Sequence, residues 1–219
     1  VNRIRAFQPD IIVNRFDHRT PGKTHGHHTS SAILSKEAFR LSNNIDAYPE
    51  QLEEFKLWQP KRLFFNTSWW FYGSQEKFDK ADKSNLLSLE IGIFNPLTGI
   101  SNSEIAASSR SSHKSQGFGS APTLGSRTEY IEIIGGERPR SNDPFEGINT
   151  TWSRLKGGTP IGKMVTTLIE SFDFENPQKS LETLINIHEV INKLPTSLWK
   201  ERKLDEAKQL ILDCAGIQM

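Results

Sequence analysis

The first apolar run of the chain, Ile11-Ile12-Val13, is short and β-branched and is entered through Gln8-Pro9-Asp10. It predicts a strand opened by a turn and buried on both faces. Residues 62–65, Arg-Leu-Phe-Phe, predict its partner. Between the two, residues 29–42 lack Gly and Pro and set Ala32, Leu34, Ala38, Phe39 and Leu41 at loosely helical spacing. Strand, loop, helix and strand make a βαβ unit, which implies a parallel sheet with a right-handed crossover. The loop leaving the first strand then occupies the end of the sheet where such folds bind ligands.

Further along, Asn95-Pro96-Leu97-Thr98-Gly99 reads as a turn, and Ser101 with Glu104 forms a capping box opening a helix to about Ser115. Gly117, Gly119 and Gly125 mark a loop, and residues 130–134 alternate as a strand closed by Gly135-Gly136. After Gly157-Gly158 the pattern turns helical. Pro160 suits a first turn, and Ile161, Val165, Leu168 and Ile169 recur at helical spacing up to Phe172. Leu181, Leu184, Ile185 and His188 give a second apolar face, and a third helix runs from about Ser197 to Cys214, ended by Gly216. The expectation is an α/β core over about 1–156 and a helical segment over about 157–219.

Composition narrows the function. The 27 Lys+Arg and 26 Asp+Glu leave a formal charge of +1, which gives bulk charge no hold on a polyanion and speaks against nucleic acid. A single cysteine, Cys214, excludes an internal disulfide, a zinc ribbon and an iron-sulfur cluster, so any metal must rest on His and carboxylates. No segment approaches the roughly 18 uninterrupted apolar residues of a membrane span. The chain opens on Val1, with Ile4 and residues 11–13 reading as the interior of a domain and no export signal before them.

Four of the 6 histidines fall between His18 and His28, and His25-Gly26-His27-His28 stands directly before the first long helix. Neutral imidazole is a good zinc ligand, and a loop entering a helix can aim two rings at one point while Gly26 lets the backbone turn. A solvated loop, or rings that only bond the helix N-terminus, accounts for the spacing equally well. Asp10 and Asp17 flank the strand end but also suit a turn and a loop cap. His113 on the serine-rich helix and His188 on an apolar face read as structural. Cys214 reads as an inert buried thiol. The Gly-x-Ser-x-Gly elbow, the Walker loop and a dinucleotide fingerprint are absent. Trp69-Trp70-Phe71-Tyr72 suits either core packing or stacking on sugar faces.

Gln8-Pro9-Asp10-Ile11-Ile12-Val13, His25-Gly26-His27-His28-Thr29 and Ala38-Phe39, in that order, resemble the second half of the PIG-L (LmbE-like) zinc-dependent N-acetylglucosaminyl deacetylases. Tyr48-Pro49-Glu50-Gln51-Leu52, Trp58-Gln59-Pro60-Lys61-Arg62-Leu63, Ser108-Ser109-Arg110-Ser111-Ser112-His113-Lys114-Ser115-Gln116 and Phe145-Glu146-Gly147-Ile148-Asn149-Thr150-Thr151-Trp152 resemble one bacterial branch of that family.

The resemblance implies a Rossmann-like three-layer sandwich with a mostly parallel sheet, spanning residues 1–219 as one deacetylase domain with its C-terminal helical segment. It implies hydrolysis of the acetamide of N-acetylglucosamine-type sugars, a small-molecule or glycan amino sugar as partner, and Zn2+ or another divalent cation as cofactor. His28 matches the metal-ligating histidine of the family's His-x-x-His pair. His25 matches the histidine that holds the oxyanion or protonates the leaving amine. The chain departs from the family in having His27 where a carboxylate often stands, and in containing no His-Pro-Asp-Asp segment, the source of two ligands and the general base. The expectation is therefore a domain lacking its first strand and inactive alone; the compartment stays open, with the bacterial branch pointing to export. A carbohydrate-binding protein on the same scaffold is the alternative, and a metal hydrolase of phosphate esters a third reading.

Overall fold

The computed structural model describes residues 1–96, 98–116, 119 and 121–216, and Gly117 of the expected loop lies outside them. The chain divides into two compact units, Val1–Gly147 and Ile148–Met219. The division falls upstream of the Gly157-Gly158 pair.

The first unit runs α1 (Asn2–Phe7), β1 (Ile11–Asn14), α2 (Gly26–Leu41), β2 (Arg62–Thr67), α3 (Trp69–Tyr72), α4 (Gln75–Lys80), β3 (Leu86–Glu90), β4 (Phe94–Asn95), β5 (Ile100–Ser101), α5 (Asn102–Ser111) and β6 (Thr128–Gly136). Four strands form one sheet in the order β1-β2-β6-β3, and β4 pairs with β5 as a separate ribbon. The β1–β2 pair is parallel with Ile11 opposite Arg62 and Asn14 opposite Phe65, the partnership expected of a βαβ unit. Both remaining pairings, β2 with β6 and β3 with β6, are antiparallel. The sheet is thus mixed, and parallel only in its first pair. The reason lies in the connections: β6 returns beside β2 after more than sixty residues, and nothing local in its sequence encodes direction.

β2 occupies the middle of the sheet and carries its core. Leu63, Phe64 and Phe65 are at most 1% exposed. Phe64, Leu87 and Ile131 form one cluster, with Ile11, Leu89 and Ile133 packed against it. Each such side chain contributes about 1.5–3 kcal/mol by leaving water. β1, in contrast, is an outer strand, and Val13 is half exposed, so the expected burial on both faces does not hold. On α2 the buried positions are Thr29, Ala32 and Phe39, while Leu34 faces out. Ser101 and Glu104 form the expected capping box, but α5 ends at Ser111 and a separate turn of 3-10 helix covers Lys114–Gln116.

Gly136 ends β6 with φ +84°, and a Cβ there would stand 2.1 Å from the Lys61 carbonyl oxygen, so only glycine fits. Two buried arginines tie irregular chain to regular elements. Arg5, 1% exposed, donates to the carbonyls of Ser42, Asn44, Ala47 and Tyr48. Arg62 donates to those of Glu137, Pro144 and Glu146.

The second unit contains α6 (Thr159–Glu170), α7 (Leu181–Asn192) and α8 (Leu198–Cys214). Pro160 sits in the first turn of α6, and Ser197 caps α8 by accepting from the Lys200 amide. Its core is Ile161, Ile187, Ile191 and Ala207. The buried stripe of α7 is Leu184, Ile187 and Ile191; Ile185 and Ile169 of the expected faces are exposed, being one position off the stripe. Among the described residues no helix is long and apolar enough to cross a membrane.

Candidate metal centre

The loop of residues 15–25 leaves the C-terminal end of β1 and delivers its chain to α2 through His25, the residue immediately before the helix. His25 makes no side-chain cap hydrogen bond, so its ring is not spent on the helix terminus. His27 and His28 follow in the first turn. Across His25, Gly26, His27 and His28 the backbone curls into the helix, and the three rings crowd together. Their centroids lie 5.6 Å apart for His25 and His27, 5.5 Å for His25 and His28, and 4.0 Å for His27 and His28.

One ligand nitrogen from each of the three lies within 4.8 Å of the others, and the group can hold a metal ion. Zinc takes imidazole nitrogens at about 2.0–2.1 Å, so two ligands of one ion stand at most about 4 Å apart, and the rings must draw together to share one. The donor set is nitrogen only; no carboxylate belongs to it among the described residues. Partial burial and the neighbouring His27 and His25 hold the His28 imidazole below the usual histidine range. That favours its neutral, ligating form.

His25 and His28 also line a cleft of about 380 Å³ with Phe16, Gly22, Lys23, Thr24 and Trp70. Trp70 comes from α3, directly after β2, so the ends of the two parallel strands supply the two sides of one site. The aromatic cluster is split in use. Phe71 packs edge-on against Phe65 and Tyr72 against Phe78, while Trp69 and Trp70 are half exposed. Larger clefts occur elsewhere in each unit, such as those beside Glu104 and beside Lys163, but neither brings histidines together.

The remaining titratable residues fall into place around the loop. Asp17 is buried; its Oδ1 accepts from the Arg19 backbone amide at 3.0 Å, the loop-cap geometry, and from Arg19 Nε at 2.9 Å. Arg19 continues to Glu132 on β6. Hydrogen bonding to Glu132, and then to Asp17, raises the Arg19 guanidinium further above its usual range, against the effect of burial. His18 stands between Asp17, at 3.5 Å, and Lys36 of α2, at 2.8 Å. The Asp10 carbonyl accepts from the Lys61 amide, fixing the strand entry. His113 is exposed beyond α5, and His188 is partly buried on α7. Cys214 is buried, and burial pushes its thiol up.

Sequence reasoning reached His25 and His28 and left His27 without a role. It missed Arg19, Lys36 and Glu132 as neighbours of the loop, because those partners meet only through α2 and β6. No family model matches the chain, nor does any curated protein or solved structure.

Proposed function

We propose that this chain is part of a zinc-dependent deacetylase acting on N-acetylglucosamine-type sugars, with a Rossmann-like three-layer sandwich as its complete architecture. The observation that supports the reading is the meeting of three imidazoles in a cleft walled by Phe16 and Trp70, at the C-terminal end of a parallel strand pair. The donor set suits zinc, which accepts imidazole readily.

When bound, zinc polarises an amide carbonyl and makes water a nucleophile near neutral pH, the two things amide hydrolysis lacks. His28, whose imidazole is held below the usual histidine range by partial burial and by its neighbours, is the ligand, and His27 is close enough to share the load. His25, exposed at the helix entry with its ring free of the helix cap, holds the oxyanion or gives a proton to the leaving amine. Trp70 and Phe16 offer apolar ring surface to one face of a pyranose, while Lys23 and Thr24 offer donors to its hydroxyls.

The general base and two metal ligands, a His and an Asp, come, on this reading, from a His-Pro-Asp-Asp segment that the 219 residues do not contain. The test is twofold: the encoding gene is read for that segment, and the encoded protein is assayed on an N-acetylglucosaminide beside a panel of phosphate esters. Acetate release dependent on zinc supports the reading. Absence of the segment, or turnover of phosphate esters alone, overturns it.

The half-exposed Trp69 and Trp70 also favour a second reading, a carbohydrate-binding protein without catalysis. In that case sugar binding is indifferent to His28.

A further inference from the structure

Glu132, on β6, accepts two hydrogen bonds from the Arg19 guanidinium, 2.9 Å from Nη1 to Oε1 and 2.6 Å from Nη2 to Oε2. The Nε–H of the same guanidinium goes to Asp17, which is 6% exposed. A two-pronged arginine–carboxylate pair fixes direction as well as distance, and a lysine cannot reproduce it. Beside Asp17 in the chain stands Phe16, whose ring lies against that of His28 with centroids 3.8 Å apart and planes 13° from parallel. On the far side of Asp17, His18 meets Lys36 of α2. The stretch 16–19 is therefore pinned to the sheet through Arg19 and to the helix through His18.

A metal-binding histidine is usually held by a hydrogen bond from its second ring nitrogen to a carboxylate or carbonyl. Here the His28 ring is stacked against those of Phe16 and His25 and meets His27 at a tilt. The Phe16 ring lies flat on His28, and Arg19, three residues further along the same loop, ties that loop to β6.

We propose that Arg19 is a positioning residue of the histidine cluster, acting through Asp17 and the Phe16 ring to fix the direction in which His28 presents its ligating nitrogen. This rests on reading the cluster as a metal site.

The test uses the 219-residue chain and Co2+, whose visible absorption reports ligand number and geometry. Affinity and spectrum are measured for the unmodified chain and for Arg19→Gln, Arg19→Lys, Glu132→Gln and Phe16→Leu. Histidine ring proton shifts are recorded without metal. The unmodified chain is expected to bind Co2+, and each variant to bind about tenfold more weakly or worse with an altered absorption. The His28 ring protons, shifted by the Phe16 ring above them, are expected to move towards free-imidazole values in all four. Arg19→Gln combined with Glu132→Gln should be no weaker than the worse single change, because both break one fork.

Variants that melt earlier yet bind Co2+ with unchanged affinity and spectrum overturn the proposal and leave the metal reading standing. If Arg19→Gln fails to fold, Phe16→Leu, which removes no charge, decides in its place by the same two readouts. If the unmodified chain takes up no Co2+, the three imidazoles do not form a metal cluster on their own and this proposal falls, while the deacetylase reading, which draws further ligands from a segment outside the 219 residues, is decided by its own assay.

Discussion

The Lys36 ammonium meets the His18 imidazole at 2.8 Å, Nζ to Nε2, so a cation stands where protonation of the ring would place a second one. Burial and then Lys36 hold His18 below the ordinary histidine range; Asp17 and Glu132 pull the other way, and Arg19 adds to the depression.

The consequence is a pH-dependent stability with a definite sign. Unfolded, His18 takes up a proton near pH 6.5; folded, it does so only at lower pH. Between those two values the unfolded chain binds more protons, so stability is full above about pH 6.5 and declines as pH falls through the folded value. His18→Gln should flatten this part of the profile, as measured by urea unfolding midpoints between pH 7.5 and pH 5. An unchanged slope would show that His18 is not its source.

Zinc content separates the roles of two histidines three positions apart. On the proposed reading, His28→Ala should abolish stoichiometric zinc in the protein that the encoding gene specifies, as measured by atomic emission after gel filtration. His25→Ala should retain zinc and lose about 10²- to 10⁴-fold in kcat, the usual contribution of a positioned acid or base. Equal zinc loss in both would make His25 a ligand instead.

On the proposed reading, Trp70 contributes to sugar binding. Trp70→Ala should weaken binding of an N-acetylglucosamine oligosaccharide by about 0.5–1.5 kcal/mol, readable by calorimetry. Trp69→Ala serves as a control, because Trp69 is equally exposed but lies outside the cleft lining. If His28→Ala leaves the same binding untouched while zinc is lost, sugar recognition does not run through the metal, the outcome expected of the carbohydrate-binding reading.

Arg5 is a prediction about folding alone. Its guanidinium serves four backbone carbonyls of residues 42–48. Arg5→Met removes those donors; the Ser42, Asn44 and Tyr48 carbonyls keep backbone amide partners in Trp58, Ala47 and Gln51, so the cost falls mainly on the Ala47 carbonyl, at about 1–3 kcal/mol where water cannot reach it. Arg5→Lys should recover little, since a compact ammonium cannot span four acceptors. Chemical denaturation of the three proteins compares them directly.

What the sequence disclosed, and what it hid, divides along the range of the interactions. The strand Ile11–Asn14, its partner Arg62–Thr67, the capping box at Ser101 and the cap at Ser197 all announce themselves within a few residues, because turn chemistry and β-branched runs act locally. The strand Leu86–Glu90 and the short helix Asn2–Phe7 have weak local patterns, whereas Gln75–Lys80 carries local signals that went unread, a cap at Ser74 and the Glu76–Lys80 pair. Whether Thr128–Gly136 runs with or against its neighbour is decided by where the chain returns, which no window of sequence contains. The histidines were legible as a dense motif. Their supporting cast was not: Glu132 lies 113 residues from Arg19, and Lys36 is 18 from His18.

Cys214 closes α8 as a buried thiol whose ionisation burial suppresses, and the chain has no other cysteine. A thiol-specific dye therefore reacts at one place, and only when the end of α8 opens. The helical unit thus carries its own clock: the labelling rate at Cys214 counts openings of that helix without any added tag.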